Sequence, residues 1–368
     1  MAKTPFIFIS PAKYVQGAGA IWQVGTHVRP LGASVLVLGG NSGLETTREG
    51  RTASFAEHGI TQREEHFNGE SSDAEVARVA ALAEEYDVVM ACGGGKAIDT
   101  AKAAAAQTNK PMVIVPTVAS NDSPCSSLSV IYNDDGSFNR LLFLGRNPEL
   151  VLVDTEIIAK SPVRQLVSGM GDALATFYEA EAGYRVNAKN VAGGVITLTA
   201  MNLAKLCHDT IIEYGLGARA ACENNIVTPA LERVVEANTL LSGLGFESGS
   251  VALAHALSEA LSALPSVHAH THGELVAFGL LTQLVIEGRE RDTINSMFRF
   301  CRSVGLPTTL ALIGAEAGEE LYAVAEMAAE PGRPSHNLTI EVTARAIYDA
   351  MIAANEIGTR LWLGAAGM

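Results

Sequence analysis

The sequence predicts a mostly parallel α/β half, residues 1–156, followed by an all-helical half, residues 157–368. Three observations carry this. Up to Asp154, short apolar runs bounded by glycine or proline alternate with helical patterns; from about Thr155 onward only helical periods recur; and 368 residues exceed one core of ordinary size.

Ala33 to Gly40 (ASVLVLGG) reads as a buried strand, and the helix after it ends at Gly59. Ser72 and Glu75 have the spacing of a capping box, and Val76, Val79, Ala80 and Ala83 give the next helix one apolar face. Tyr86 to Cys92 is a strand, as is Pro111 to Pro116, and Leu128 to Tyr132 and Leu150 to Val153 add two short apolar runs. In the second half Ile196, Ala200, Leu203 and Cys207 share a helical face, and Thr228 caps a helix with Pro229 in its first position. Another helix follows Gly249 and Ser250 and runs through Leu264. His272 opens one that stops at Gly288. Pro331, Gly332 and Pro334 break the chain before a last helix from about Val342.

The stretch joining the two signals of the first half is Ala91-Cys92-Gly93-Gly94-Gly95-Lys96-Ala97-Ile98-Asp99-Thr100-Ala101-Lys102. It passes from strand to helix through three glycines and a cation. Free N–H groups, the positive end of the helix dipole and the Lys96 ammonium together favour a pyrophosphate or another anion, so the turn reads as a phosphate cradle. The competing reading is a glycine-rich turn without a ligand; the motif fits neither GxGxxG nor the Walker pattern. In parallel sheets ligands bind beyond the carboxyl ends of the strands, where Gly40, Gly93 and the hydroxyl-rich loop Thr117 to Ser127 all fall. That loop reads equally as a solvated turn.

Hydrophobic residues make up 48% of the chain and charged ones 18%, which excludes extensive disorder and suggests surface buried between subunits. A net charge of −14, with no Lys/Arg run interleaved with aromatics, argues against nucleic acid and acidic membranes as partners. The five cysteines, spread without a CxxC pair, fit a reducing compartment. With no window approaching a transmembrane span and no signal-peptide pattern, a cytoplasmic protein is expected.

Three residues of the helical half, Asp172, His255 and His272, offer the carboxylate and two imidazoles of an open catalytic zinc site. Each alone reads as well as a satisfied core residue. Glu259, one turn after His255, is placed to orient a ligand. The run His268-Ala269-His270-Thr271-His272 offers an alternative site, since alternate residues of a strand share a face; the helix after His272 favours that residue over His268 and His270.

GGGKAIDTAK, PTVASNDSPCSSLSVIY, GMGDALATFYEAEA, TPALERVVEANTLLSGLGFESG and the paired AH and HGE resemble the glycerol dehydrogenase branch of the iron-containing, or group III, alcohol dehydrogenases, from about Ser10 to the last helix. The resemblance implies the dehydroquinate synthase-like architecture of that family, with a dinucleotide-binding domain over 1–156, a helical metal- and substrate-binding domain over 157–368, a cleft between them, and often a homo-octamer. It implies metal ligation by Asp172, His255 and His272, and substrate contact, with a catalytic role, by Asp122. Gly95 and Lys96 are implied at the cofactor's pyrophosphate, Thr117 and Ser120 at its middle, and Ser126, Leu128 and Tyr132 at its nicotinamide end, with Gly94 and Asp99 among the cofactor-binding residues.

Two departures from the family pattern bear on chemistry. Thr176 stands where iron-binding relatives carry a histidine one turn after the metal-binding aspartate, which favours zinc. Gly40 stands where an aspartate usually holds the adenosine ribose, which weakens the preference for NAD over NADP. Asn121 replaces a frequent threonine in the substrate loop. The activity implied is zinc-dependent oxidation of glycerol, or a related vicinal diol, to dihydroxyacetone or its analogue by hydride transfer to NAD. The alternatives are an NADP-linked diol dehydrogenase and a dehydroquinate synthase-like lyase, the latter disfavoured by the scarcity of cations near Asp122 and His272.

Overall fold

The computed structural model describes residues 4–366. The first half forms eight strands: β1 (Tyr14–Gly17), β2 (Ser34–Gly39), β3 (Thr61–His66), β4 (Val88–Gly93), β5 (Met112–Pro116), β6 (Leu128–Tyr132), β7 (Phe138–Phe143) and β8 (Leu150–Asp154). Six pair in parallel in the order β1-β8-β5-β4-β2-β3, and β6 and β7 form a separate antiparallel ribbon. Every residue of β4, β5 and β8 is buried, which is why they read as unbroken apolar runs rather than alternating ones. Helices α1 (Val24–Val28), α2 (Asn41–Glu57), α3 (Asp73–Ala83) and α4 (Gly95–Gln107) lie between the strands. The chain runs from β2 outward to β3 and returns across β2 to β4. The switch point of the sheet therefore falls between the carboxyl ends of β2 and β4.

Capping agrees with the sequence in part. Ser72 Oγ accepts from Glu75 N at 3.4 Å, but the Glu75 carboxylate does not return to Ser72; it accepts from Asn68 N at 3.0 Å and from Arg78. The box is half formed because a nearby arginine and a loop N–H compete for the same carboxylate. Thr228 Oγ1 accepts from Leu231 N at 3.2 Å with Pro229 in the first position, as expected.

The remaining helices are α5 (Thr155–Ala159), α6 (Val163–Arg185), α7 (Leu198–Glu223), α8 (Pro229–Glu236), α9 (Ser242–Ser248), α10 (Leu253–Leu261), α11 (His272–Ile286), α12 (Arg291–Val304), α13 (Glu319–Ala328) and α14 (Ala344–Ala366). Between α8 and α9 the helix widens into one π turn, Ala237–Leu241. The chain divides into two compact units, residues 9–166 with 217–243, and the rest. Where the sequence reading sets one boundary at 156/157, residues 217–243 group with the sheet. Gln16 Nε2 donates to Glu232 O at 2.9 Å and Oε2 at 2.8 Å, and Thr155 Oγ1 donates to Glu232 Oε1 at 2.6 Å. The helical unit packs its own core from Leu253, Leu257, Phe278, Leu321, Ile347 and Met351. Among the described residues no helix is long and apolar enough to cross a membrane.

Candidate active site

In the helical unit, α6 supplies Asp172, α10 supplies His255, and α11 begins at His272. One ligand atom from each lies within 4.8 Å of the others. Asp172 Oδ1 is 3.2 Å from His255 Nε2 and 3.4 Å from His272 Nε2. Two glycines beside these ligands let α6 and α11 approach. A Cβ on Gly171 would sit 2.2 Å from Gly273 O, and a Cβ on Gly273 would sit 1.8 Å from Ser168 O. Only bare backbone fits there.

Glu179, two turns beyond Asp172 on α6, is fully buried and orients His255. Its carboxylate meets His255 Nδ1 and accepts from His255 N at 3.0 Å and Ala252 N at 2.7 Å. With Nδ1–H donated to Glu179, Nε2 faces Asp172 and is the nitrogen whose lone pair would be freed for a cation once its proton is displaced. The Phe246 ring stacks on His255 with centroids 6.1 Å apart. Burial opposes the charged form of Asp172, but the two imidazoles outweigh it, His272 first, and hold the carboxyl well below the usual carboxylate range. Burial likewise opposes protonation of His255, yet Glu179 and Asp172 hold its pKa well above the ordinary imidazole value. Asp172 Oδ2 is buried and meets no hydrogen-bond partner within the protein. A buried carboxylate oxygen without a partner, beside two imidazoles, fits a divalent cation.

Glu259 does not take the orienting role its spacing suggests: its carboxylate pairs with Arg333 at 2.5 Å. The i, i+7 spacing of Asp172 and Glu179 puts both on one face of α6, a signal that does not by itself pair Glu179 with His255. The alternating histidines are not a strand. Pro265–Val267 is a 3-10 turn, His268 Nε2 lies 3.2 Å from Ser262 O, and His270 Nδ1 lies 3.2 Å from Glu274 Oε2. Thr176 is buried one turn after Asp172.

In the sheet unit, Gly94 caps α4 in extended conformation, and no acidic residue lies in the first turn. A Cβ on Gly95 would meet Asn121 Nδ2 at 2.8 Å, so the turn and the loop after β5 are in close contact. Cβ atoms on Gly39 and Gly43 would lie 2.4 and 2.2 Å from Cys92 O, which brings the start of α2 hard against the end of β4. Lys96 Nζ pairs with Glu70 Oε2 at 2.6 Å and lies 4.8 Å from the centroid of the Tyr132 ring. Thr117 follows β5, its N–H donating to Gly93 O at 3.0 Å, and Ser120 and Asp122 are half-buried in the same loop. Ser242 Oγ donates to Asp122 Oδ2 at 3.3 Å. Ser126 and Leu128 are buried. Asp99 is turned inward, one oxygen accepting from Ser123 Oγ at 2.7 Å and the other from Val130 N at 3.1 Å, so its carboxylate braces the loop. At Gly40 an added Cβ would meet nothing within 4 Å.

A family model described as iron-containing alcohol dehydrogenase matches residues 11–155. The chain is 48% identical to a glycerol dehydrogenase of Thermotoga maritima over 95% of this chain and 97% of that one. It is 42% identical to a glycolaldehyde reductase of Halobacterium salinarum over 96% of this chain and 98% of that one. The crystal structure of glycerol dehydrogenase from Schizosaccharomyces pombe aligns with a TM-score of 0.95 at 37% identity, covering 100% of this chain and 94% of that chain. The resemblance drawn from the motifs is thereby borne out, and the lyase alternative gives way: the chain is an oxidoreductase and belongs to the iron-containing alcohol dehydrogenase family, alongside its glycerol dehydrogenases.

Proposed function

We propose that the chain oxidises glycerol to dihydroxyacetone, and related vicinal diols to their ketones, by hydride transfer to NAD, with zinc held by Asp172, His255 and His272. The observation that carries the reading is the Asp172 carboxylate, buried against two imidazoles with its second oxygen unpartnered. Bound there, zinc supplies a Lewis acid that lowers the pKa of an alcohol. In this reading the sheet unit is the dinucleotide-binding domain and the helical unit the metal- and substrate-binding domain. Thr176 leaves three protein ligands, which favours zinc over iron. Glu179 fixes the His255 tautomer, and Asp122 accepts hydrogen bonds from the hydroxyls of the polyol and orients it. The first turn of α4 and Lys96 hold the pyrophosphate, and Thr117, Ser120, Ser126, Leu128 and Tyr132 line the rest of the cofactor.

Five buried cysteines, with no disulfide among the described residues, support a cytoplasmic setting, and family likeness supports a homo-octamer. One observation favours a second reading, NADP as cofactor. Gly40 caps α2 without a carboxylate, and the open space beside it imposes no repulsion on a 2′-phosphate. Initial rates with glycerol and either NAD or NADP, before and after chelation and re-addition of zinc or iron, test both. Zinc-restored turnover with NAD is the expected result. Turnover with NADP alone moves the cofactor, restoration by iron alone moves the metal, and no turnover with any vicinal diol or with glycolaldehyde and NADH overturns the reading.

A further inference from the structure

We propose that Lys102 is a positioning residue for this reaction: paired with Asp99, its buried ammonium fixes the loop carrying Asp122, Ser126 and Leu128 onto the helix that begins at the glycine turn. The inference rests on the dinucleotide and polyol reading above. Lys102 is fully buried. Its Nζ donates to Ser123 O at 2.8 Å and Leu128 O at 2.5 Å, lies 3.2 Å from Ser126 Oγ and 3.4 Å from Ser126 O, and pairs with Asp99 Oδ1 at 3.1 Å. Asp99, one turn earlier on the same face of α4, takes the groups that Lys102 does not. Its carboxylate accepts from Ser123 Oγ and Val130 N, and its carbonyl accepts from Ser129 Oγ at 2.8 Å. The two side chains thus hold the loop at residues 123, 126, 128 and 130, and the Asp99 carbonyl holds it at 129.

A core made only for stability has little use for this arrangement. Removing an ammonium from water is strongly unfavourable, and an unbranched apolar side chain of similar length fills the same space without that penalty. The charge adds convergence: the carbonyls of Ser123, Ser126 and Leu128 turn to one point only when the loop has this shape, and without the ammonium they lose the one charged donor they share. Seven helical steps of α4 carry the chain from Gly95 to Lys102, a rise of about 10 Å. The rigid helix therefore sets the spacing between the pyrophosphate turn and the loop assigned to nicotinamide and polyol. Asp99, in this account, acts through the loop rather than by touching the cofactor.

The test uses the full-length, zinc-loaded protein. NADH affinity is read by fluorescence titration, the KM and kcat for glycerol and NAD by initial rates, and folding by thermal melting. Lys102→Met is expected to weaken NADH binding and raise both KM values by about tenfold to a hundredfold. Its zinc content should stay unchanged, because the metal ligands sit on α6, α10 and α11. A purely structural lysine would lower the melting temperature and leave KM where it was. If Lys102→Met does not fold, Ser123→Ala carries the test, removing only the hydroxyl that Asp99 holds; a rise in KM of about tenfold with a smaller change in kcat is expected. A folded variant that binds NADH and glycerol as the parent does overturns the inference. A parent that binds neither NADH nor NADPH instead overturns the underlying reading, so the two failures are distinct.

Discussion

Glu179→Gln keeps the shape of the side chain and removes its charge. The amide oxygen can still accept from Ala252 N and His255 N, which now donate to Oε1 at 2.7 and 3.0 Å. The amide nitrogen then faces His255 Nδ1, and it can only donate. To accept that bond, the imidazole must carry its proton on Nε2, the nitrogen 3.2 Å from Asp172 Oδ1, and so loses the lone pair it would offer a cation. Removing such a partner from a metal-binding histidine weakens metal affinity by about 10- to 100-fold, or about 1.4 to 2.7 kcal/mol. The upper end is expected, since Glu179 is fully buried and solvent cannot replace its charge. The assay is competition for zinc with a chromophoric chelator, on protein shown to be folded by its melting curve. Glu259→Gln is the control, because Glu259 pairs with Arg333 and should leave zinc affinity intact. Folded Glu179→Gln with the parent's zinc affinity would refute the orienting role.

Gly273→Ala forces a methyl to within 1.8 Å of Ser168 O, so α6 and α11 must part; a loss of about 1 to 3 kcal/mol in stability and a lower zinc content are expected from melting curves and metal analysis. His270→Asn removes an imidazole that pairs with Glu274, and zinc stoichiometry should not change. Carboxylates hold a proton on His255 well above the usual imidazole range in the metal-free protein, and metal binding must expel it. Apparent zinc affinity should therefore rise with pH across the neutral range, as monitored by chelator competition, and a flat profile would contradict the proton held on His255.

The sequence reading succeeds where one segment determines its own burial. The apolar runs at β2, β4, β5 and β8 need no partner to be recognised, and Thr228 with Pro229 fixes a helix start locally. It misses β1, where every residue is half-buried, and β3, Thr61–His66, whose charged residues look like loop. The latter is an edge strand held by arginines of α2: Arg51 reaches Gln62 at 2.9 Å and Glu64 at 2.6 Å. The three proposed metal ligands do come together, drawn by glycines whose neighbours in the motif already hint at close packing. Their orienting partner is not the one the sequence suggests. Glu259 shares a helix with His255, but proximity along one helix says nothing of which carboxylate another helix brings, and Glu179 arrives from α6. Asp99 and Lys102 stay hidden for the same reason. Their i, i+3 spacing marks a face of α4, while the loop that fills it is set only by the folded chain.

The π turn at Ala237–Leu241 is equivalent to a helix that has accepted one surplus residue. Asn238, within it, donates through Nδ2 to Ala119 O at 2.9 Å and Leu166 O at 3.0 Å, and Ser242, just after it, donates to Asp122. Deleting a single residue in this turn would let the helix rewind to 3.6 residues per turn; the wide turn already absorbs the surplus residue, so the downstream helix would keep its facing, and what would be lost is the reach of Asn238 to Ala119 O and Leu166 O. Along this stretch chain length is constrained as tightly as residue type, so a one-residue gap here is a larger change than most substitutions.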